Sequence, residues 1–139
     1  MKKLIAGLIL AILITATAQA GMGPIIRDVI ITDLGGGFTE VNGSLVGVRF
    51  TKDDVQQIGC RISADSGGVP IVVCTARDIN EANYFCFSFD AALIEAAKSI
   101  SPFSFVRFSF NETSECDSIF VSVRSFQIPD IKTENSISK

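Results

Sequence analysis

Apolar and polar residues alternate in short stretches along most of this chain, and a period of two is typical of β-strands with one buried face. Segments rich in glycine, serine and asparagine separate these stretches and are typical of turns. We predict strands over Ile25–Thr32, Leu45–Phe50, Ile58–Ser63, Ile71–Arg77, Tyr84–Phe89, Phe103–Phe110 and Ile119–Ile128. The pattern therefore indicates a mainly β domain built from antiparallel hairpins.

One segment has helical instead of alternating character. Asp90 is a residue type that caps helices, and the apolar residues of Ala91–Ile100 fall on one face of the helix that would follow it. A single further helical turn is predicted after Thr51. The predicted fold class is mainly β (α+β): an antiparallel sheet, arranged as a sandwich or a partly closed barrel, with one helix (about 91–100) packed on it and two disulfides.

The N-terminus has the parts of a secretory signal peptide. Two lysines precede the apolar run Leu4–Ile14, and small residues end the segment at a predicted cleavage site between Ala20 and Gly21. The alternative is a transmembrane anchor, but the run is about half the roughly 20 residues that a spanning helix needs. We therefore predict a signal peptide over 1–20, one domain over 21–128 and a disordered polar tail over 129–139.

This signal predicts export to the periplasm or the extracellular space, with no membrane span left after cleavage. The pair of lysines and the compact apolar segment are typical of bacteria. Export matters for the chemistry of the chain, because cysteines oxidise outside the cytoplasm.

The chain has four cysteines, all of which follow the predicted cleavage site: Cys60, Cys74, Cys86 and Cys116. An even number in a small exported domain predicts two disulfides. A hairpin about Gly67 would place Cys60 directly opposite Cys74, within reach of a bond, and leave Cys86 for Cys116. The alternative pairs Cys74 with Cys86 and Cys60 with Cys116. No two cysteines have the close spacing of a zinc knuckle, so no metal site is predicted.

Composition excludes several classes of function. The chain has no histidine, which excludes Ser-His-Asp and Cys-His nucleophiles. Its formal charge is −3, from 12 basic and 15 acidic residues without a basic stripe, and this disfavours nucleic acid as a partner. The glycine triplet Gly35–Gly37 lacks the lysine of a phosphate-binding loop and is predicted to be a turn. No cofactor is predicted.

The aromatic residues are almost all phenylalanine: eleven, against one tyrosine and no tryptophan. Recognition surfaces favour tryptophan and tyrosine, because their rings combine apolar area with a polar group. We therefore expect the phenylalanines to fill the core, with the serines between them on the outer faces of the strands.

From about residue 44 to 128 the chain resembles a group of small exported bacterial proteins that carry four cysteines and have no assigned function. The resemblance rests on Ile58-Gly59-Cys60, Cys74-Thr75-Ala76-Arg77-Asp78, Phe85-Cys86-Phe87-Ser88, Asp90, Ser104, Phe108, Cys116, Ile119, Val121 and Ser125. It implies an exported domain that carries cysteines, and it supplies no activity, ligand or functional residue. The chain departs from the group after Asp78, where Asn80 to Asn83 replace the usual glycine.

These features predict a secreted or periplasmic, non-enzymatic domain that binds an unknown protein or envelope component, or is a structural accessory. The candidate binding surfaces are three loops, Gly35–Thr39, Ala64–Pro70 and Asn111–Asp117. One alternative is an envelope-assembly or adhesion subunit whose strand edges pair between chains. Another is a small hydrolase using paired carboxylates, although Asp90 is better explained as a helix cap and the acids of the third loop as solvated charges.

Overall fold

Seven strands and two helices make up residues 28–125, the part of the chain that this computed structural model describes. The signal peptide predicted over 1–20, its cleavage site at Ala20 and Gly21, and the tail predicted over 129–139 lie outside the described residues. In chain order the elements are β1 (Ile30–Gly35), β2 (Phe38–Ser44), α1 (Leu45–Arg49), β3 (Gln57–Ser63), β4 (Ile71–Arg77), β5 (Asn83–Ser88), α2 (Ala91–Lys98), β6 (Phe105–Phe110) and β7 (Cys116–Ser122).

The strands form two antiparallel sheets, which confirms the mainly β prediction. The first sheet has the order β1-β2-β6-β7 and the second the order β3-β4-β5. At one corner the sheets meet, where the backbone N–H of Phe87 donates to the carbonyl of Ser114 at 3.0 Å. Within the described residues the strands do not close into a barrel.

Both sheets turn one face toward a shared core. In the first sheet Val41, Phe108 and Ile119 lie side by side on neighbouring strands and are buried. In the second sheet alternate residues of β4, from Val72 through Cys74 to Ala76, are buried in the same way. This inward alternation on both sheets places one apolar cluster between them.

Helix α2 covers this core and confirms the predicted helix. The side chain of Asp90 accepts hydrogen bonds from the backbone N–H groups of Ala92 and Leu93, at 2.8 and 3.1 Å, which is the predicted cap. Ile94 and Ala97 are the buried residues of the helix and belong to the core cluster. A helix of this length is marginal alone and depends on that packing.

The strand predicted over Leu45–Phe50 is wrong, because Leu45–Arg49 form the short helix α1. The hydroxyl of Ser44 accepts from the backbone N–H of Gly47 at 3.1 Å and so starts a helix directly at the end of β2. Val46 and Val48 are both buried in this single turn, which reproduces the alternation of a strand.

The helical turn predicted after Thr51 is wrong for the same reason, since the helix lies before that residue. The Thr51 hydroxyl and backbone N–H both donate to the carbonyl of Val48, at 2.8 and 3.2 Å, and so close the end of α1.

The disulfides join Cys60 to Cys74 and Cys86 to Cys116, as the hairpin geometry predicts. Cys60 lies opposite Cys74 in the β3–β4 ladder, so the first bond is internal to the second sheet. Cys86 lies in β5 and Cys116 in β7, so the second bond joins the two sheets, at the corner where Phe87 bridges Glu115 and with 5.0 Å between the Cα atoms.

The turn between β4 and β5 is organised by one buried carboxylate. Asp78 Oδ1 accepts from the backbone N–H groups of Asn80 and Ala82, both at 2.9 Å, and its Oδ2 accepts from the hydroxyl of Tyr84 at 3.3 Å. The turn holds Glu81 at a φ of 64°, in the left-handed region. Asp78 therefore accepts the backbone hydrogen bonds of a turn whose left-handed position, occupied by Glu81, would favour glycine.

Because Tyr84 is the chain's only tyrosine, ultraviolet absorbance can follow its ionisation alone. Burial first, and then the nearby Asp78 carboxylate, raises the pKa of Tyr84 above its ordinary value of 10.0. We expect phenolate to form at higher pH in the folded chain than in the denatured chain. Asp78→Asn should bring the pH of phenolate formation in the folded chain closer to that in the denatured chain, because it removes the carboxylate charge.

The raised pKa also sets the sign of a stability change. The folded state prefers the neutral phenol, so this contribution is complete below pH 10.0 and is lost as the pH rises further. Phenolate formation at equal or lower pH in the folded chain would contradict this assignment.

The two disulfides should contribute unequally to stability. The chain-entropy relation gives about 3 kcal/mol for closing the Cys60–Cys74 loop and about 3.7 kcal/mol for the longer Cys86–Cys116 loop. We expect the double variant Cys86→Ala/Cys116→Ala to lose more unfolding free energy in urea than Cys60→Ala/Cys74→Ala. Equal free energies for a double variant and the parent would show that the bond does not stabilise the fold.

Candidate functional site

The outer side of the second sheet carries two exposed phenylalanines and a third, half-buried one. Phe85 and Phe89 are 53% and 57% exposed, while Cys86 between them is completely buried. Phe87 points to the same side, because its ring contacts that of Phe89 edge to face at 6.4 Å between centroids. These three side chains form what we call the phenylalanine face.

Neighbouring strands extend the phenylalanine face sideways. Phe87 lies opposite Val73 of β4, and Val73 lies opposite Arg61 of β3. Directly opposed residues of an antiparallel ladder share one side of the sheet. The phenylalanine face is therefore bordered by the aliphatic side chain of Val73 and, one strand further, by the cationic side chain of Arg61. Val73 is half-buried and Arg61 is exposed.

The orientation of β5 corrects the expectation that phenylalanines face inward. Side chains alternate along a strand, and Cys86 must face the core to reach Cys116. Phe85 and Phe87, its neighbours in sequence, are therefore forced outward. Across the described residues only Phe108 is fully buried, whereas the exposed phenylalanines are Phe50, Phe85, Phe89, Phe103 and Phe120.

An exposed aromatic cluster of this kind has a known physical meaning. Soluble proteins seldom leave neighbouring large apolar side chains in water unless the patch contacts another molecule. The phenylalanine face is therefore a candidate contact surface, and its composition suits an apolar partner surface.

Two of the three predicted binding loops come together at one end of the first sheet. Thr39 of β2 lies opposite Phe110 of β6, so the loops next to these residues share an edge. Between them is an open cleft of about 430 Å³ lined by Asp33, Gly35, Gly36, Gly37, Phe38, Thr39, Phe110, Asn111, Glu112 and Ser114. The third loop, Ala64–Pro70, joins β3 to β4 in the other sheet and does not line this cleft.

Hydrogen bonds define both walls of the cleft. Asp33 Oδ1 accepts from the backbone N–H of Gly35 at 2.8 Å. Asn111 Oδ1 accepts from the backbone N–H groups of Thr113 and Glu115, both at 3.0 Å. The glycine triplet takes positive φ at all three positions, which confirms the predicted turn. The side chains of Asp33 and Glu112 are the charged groups of the lining.

The carboxylates weighed for hydrolysis are not gathered at one place. Asp90 caps α2, and its Oδ1 is used by two backbone N–H groups. Glu112 lines the cleft, whereas Glu115 does not, and Glu115 instead accepts from the side-chain amide of Asn111 at 3.4 Å. The cleft carboxylates are Asp33 and Glu112, a pair that the sequence did not suggest.

The cysteines form a cluster that sequence spacing does not predict. The Sγ atoms of Cys74, Cys86 and Cys116 all lie within 4.8 Å of one another, a separation compatible with shared metal ligation. All three atoms are held in disulfide bonds, so none is a thiolate, the form that binds metal.

No protein-family model, curated protein or solved structure matches this chain. Within residues 28–125, no helix is long and apolar enough to cross a membrane.

The turn that forms one wall of the cleft gives a test of the backbone conformation. Gly36 has a φ of +63°, and a Cβ added there would meet nothing within 4 Å. Gly36→Ala should therefore lower the unfolding free energy by about 1–2 kcal/mol through backbone strain alone. Gly36→Asn should cost less, because asparagine tolerates the left-handed region. Chemical denaturation measures both, and equal stability of Gly36→Ala and the parent would contradict the conformation.

Proposed function

We propose that this chain is an exported, non-enzymatic domain that binds another protein through the phenylalanine face. The observation that carries the proposal is the outward orientation of Phe85, Phe87 and Phe89 on a sheet whose other side already faces the core. A second, independent apolar contact is the use that such a surface supports best.

The chemistry of the face indicates the kind of partner. Aromatic rings beside a valine favour an apolar contact at the centre, and the exposed guanidinium of Arg61 favours a hydrogen-bond acceptor or carboxylate at the rim. The proposed partner is therefore a protein surface with an apolar centre and an acidic or carbonyl-rich border.

Export is the second part of the proposal. The two disulfides are consistent with an oxidising extracellular or periplasmic environment. The predicted signal peptide and bacterial origin agree with that environment. An envelope protein met after export is the proposed class of partner.

A role as an envelope-assembly or adhesion subunit is the alternative that one observation supports. Strand β1 pairs only with β2 among the described strands, and its Ile30 and Leu34 are exposed. An edge strand of this kind can accept a strand from another chain. Size-exclusion chromatography at increasing concentration separates the two roles, since edge pairing between copies gives oligomers and the proposed binding domain stays monomeric.

The test compares matched surface variants. We expect an envelope extract of the producing organism to yield a protein that binds the immobilised chain. The double variant Phe85→Ser/Phe89→Ser should raise the Kd of that protein at least tenfold, because burying one such ring contributes about 1.5–3 kcal/mol and 1.4 kcal/mol is tenfold in affinity. Isothermal titration calorimetry measures the constants.

Phe120→Ser is the control, since Phe120 is also exposed but lies on β7 of the other sheet, where its ring contacts Arg107. It should leave the Kd unchanged. Equal Kd values for the double variant and the parent would show that the partner does not contact the phenylalanine face. Repeated failure to recover any partner would contradict the proposed binding function.

A further inference from the structure

Three cysteines lie in one line across the second sheet. Cys60 of β3 lies opposite Cys74 of β4, and Cys74 lies opposite Cys86 of β5. Cys74 therefore has a cysteine on each side, and the native bond uses only one of these two neighbours. The other neighbour, Cys86, is bonded to Cys116 of the first sheet, at the corner where the two sheets meet.

The sulfur atoms are close enough to exchange partners. The Sγ atoms of Cys74, Cys86 and Cys116 are mutually within 4.8 Å, and Cys60 lies outside this group. Disulfide exchange proceeds when a thiolate attacks one sulfur of a neighbouring disulfide and displaces the other. Cys74, once released from Cys60, would stand beside such a disulfide.

Burial determines where an external thiol can react. Cys74 and Cys86 are completely buried and Cys116 is 8% exposed, whereas Cys60 is only half-buried. An attacking thiol therefore reaches Cys60, and the sulfur that leaves is that of Cys74. Attack at the accessible Cys60 thus leaves the thiolate on Cys74, which lies inside the buried cluster.

We propose that this chain carries a redox-sensitive switch, in which reduction of Cys60–Cys74 by a dithiol transfers the remaining disulfide to Cys74–Cys86. This inference concerns the core and does not depend on the proposed binding function.

The reaction balances in three steps. One thiolate of the dithiol attacks Cys60 Sγ, the Cys60–Cys74 bond breaks, and Cys74 leaves as a thiolate. The second sulfur of the dithiol closes its own ring disulfide and releases Cys60 as a thiol. Cys74 then attacks Cys86 Sγ, so that the Cys74–Cys86 bond forms, the Cys86–Cys116 bond breaks and Cys116 takes up a proton. The dithiol is oxidised by two electrons, and its two protons end on Cys60 and Cys116.

The switch changes how the two sheets are connected. Before reduction, Cys86–Cys116 bonds β5 to β7 at the corner where the two sheets meet. Afterwards the only disulfide lies within the second sheet, between opposed positions of β4 and β5. One equivalent of dithiol therefore removes the covalent bond between the sheets while one disulfide remains.

The first experiment follows the parent chain under mild reduction. The folded chain is treated with one equivalent of dithiothreitol, quenched in acid and alkylated at low pH in denaturant, and the peptides are mapped by mass spectrometry. We expect the main two-electron-reduced species to be alkylated at Cys60 and Cys116 and to retain Cys74–Cys86. Alkylation mainly at Cys60 and Cys74, with Cys86–Cys116 intact, overturns the proposal.

Two single variants form a matched pair that needs no reductant. Cys60→Ser leaves Cys74 as the free thiol inside the cluster, and we expect the free thiol to be found mainly at Cys116. Cys74→Ser leaves the free thiol at Cys60, outside the cluster, and Cys86–Cys116 should stay intact. Equal redistribution in both variants, or none in Cys60→Ser, contradicts the proposal.

Circular dichroism of both variants verifies that they are folded. If Cys60→Ser does not fold, the mild reduction of the parent decides the matter alone. As a reference, the same reduction in denaturant should give mixed pairings, because the strands no longer place Cys74 beside Cys86.

Discussion

The bond between Cys86 and Cys116 constrains more of this structure than any other single interaction. It fixes the side of β5 that faces the core, and period-two alternation then decides the position of every other side chain in that strand. It also holds the corner where the backbone N–H of Phe87 meets the carbonyl of Ser114. The outward phenylalanines are thus a consequence of a covalent link on the opposite side of the same strand.

Local patterns predicted the elements whose signals are local. Strand β4 has its predicted bounds, and Asp90 caps α2 as its residue type indicates. The first disulfide also followed from one hairpin, because Cys60 and Cys74 are opposed across a single turn. In each case the deciding contact lies within a few residues or one hairpin, which is the range over which a sequence pattern is informative.

The failures arose where two local signals competed or where the partner was distant. Val46 and Val48 alternate as in a strand, but the cap from Ser44 to Gly47 makes that segment helical. Alternation along β5 places Phe85 and Phe87 on the side opposite Cys86, and this signal was present in the sequence. The expectation that phenylalanines fill the core, which rested on their hydrophobicity, outweighed it. The cleft between two loops could not be foreseen, because it requires the pairing of β2 with β6.

Ser44 serves two elements at once, and this limits how the chain can change over evolution. It is the last residue of β2, paired with Phe105, and its buried hydroxyl also begins α1. An insertion or deletion inside β2 would keep the spacing from Ser44 to Gly47 but shift the register of β2 against β6, so that Ser44 and the start of α1 would no longer lie opposite Phe105. Changes in chain length should therefore be tolerated best in the glycine turn before β2, at Gly35 and Gly36, where an added Cβ would meet nothing within 4 Å.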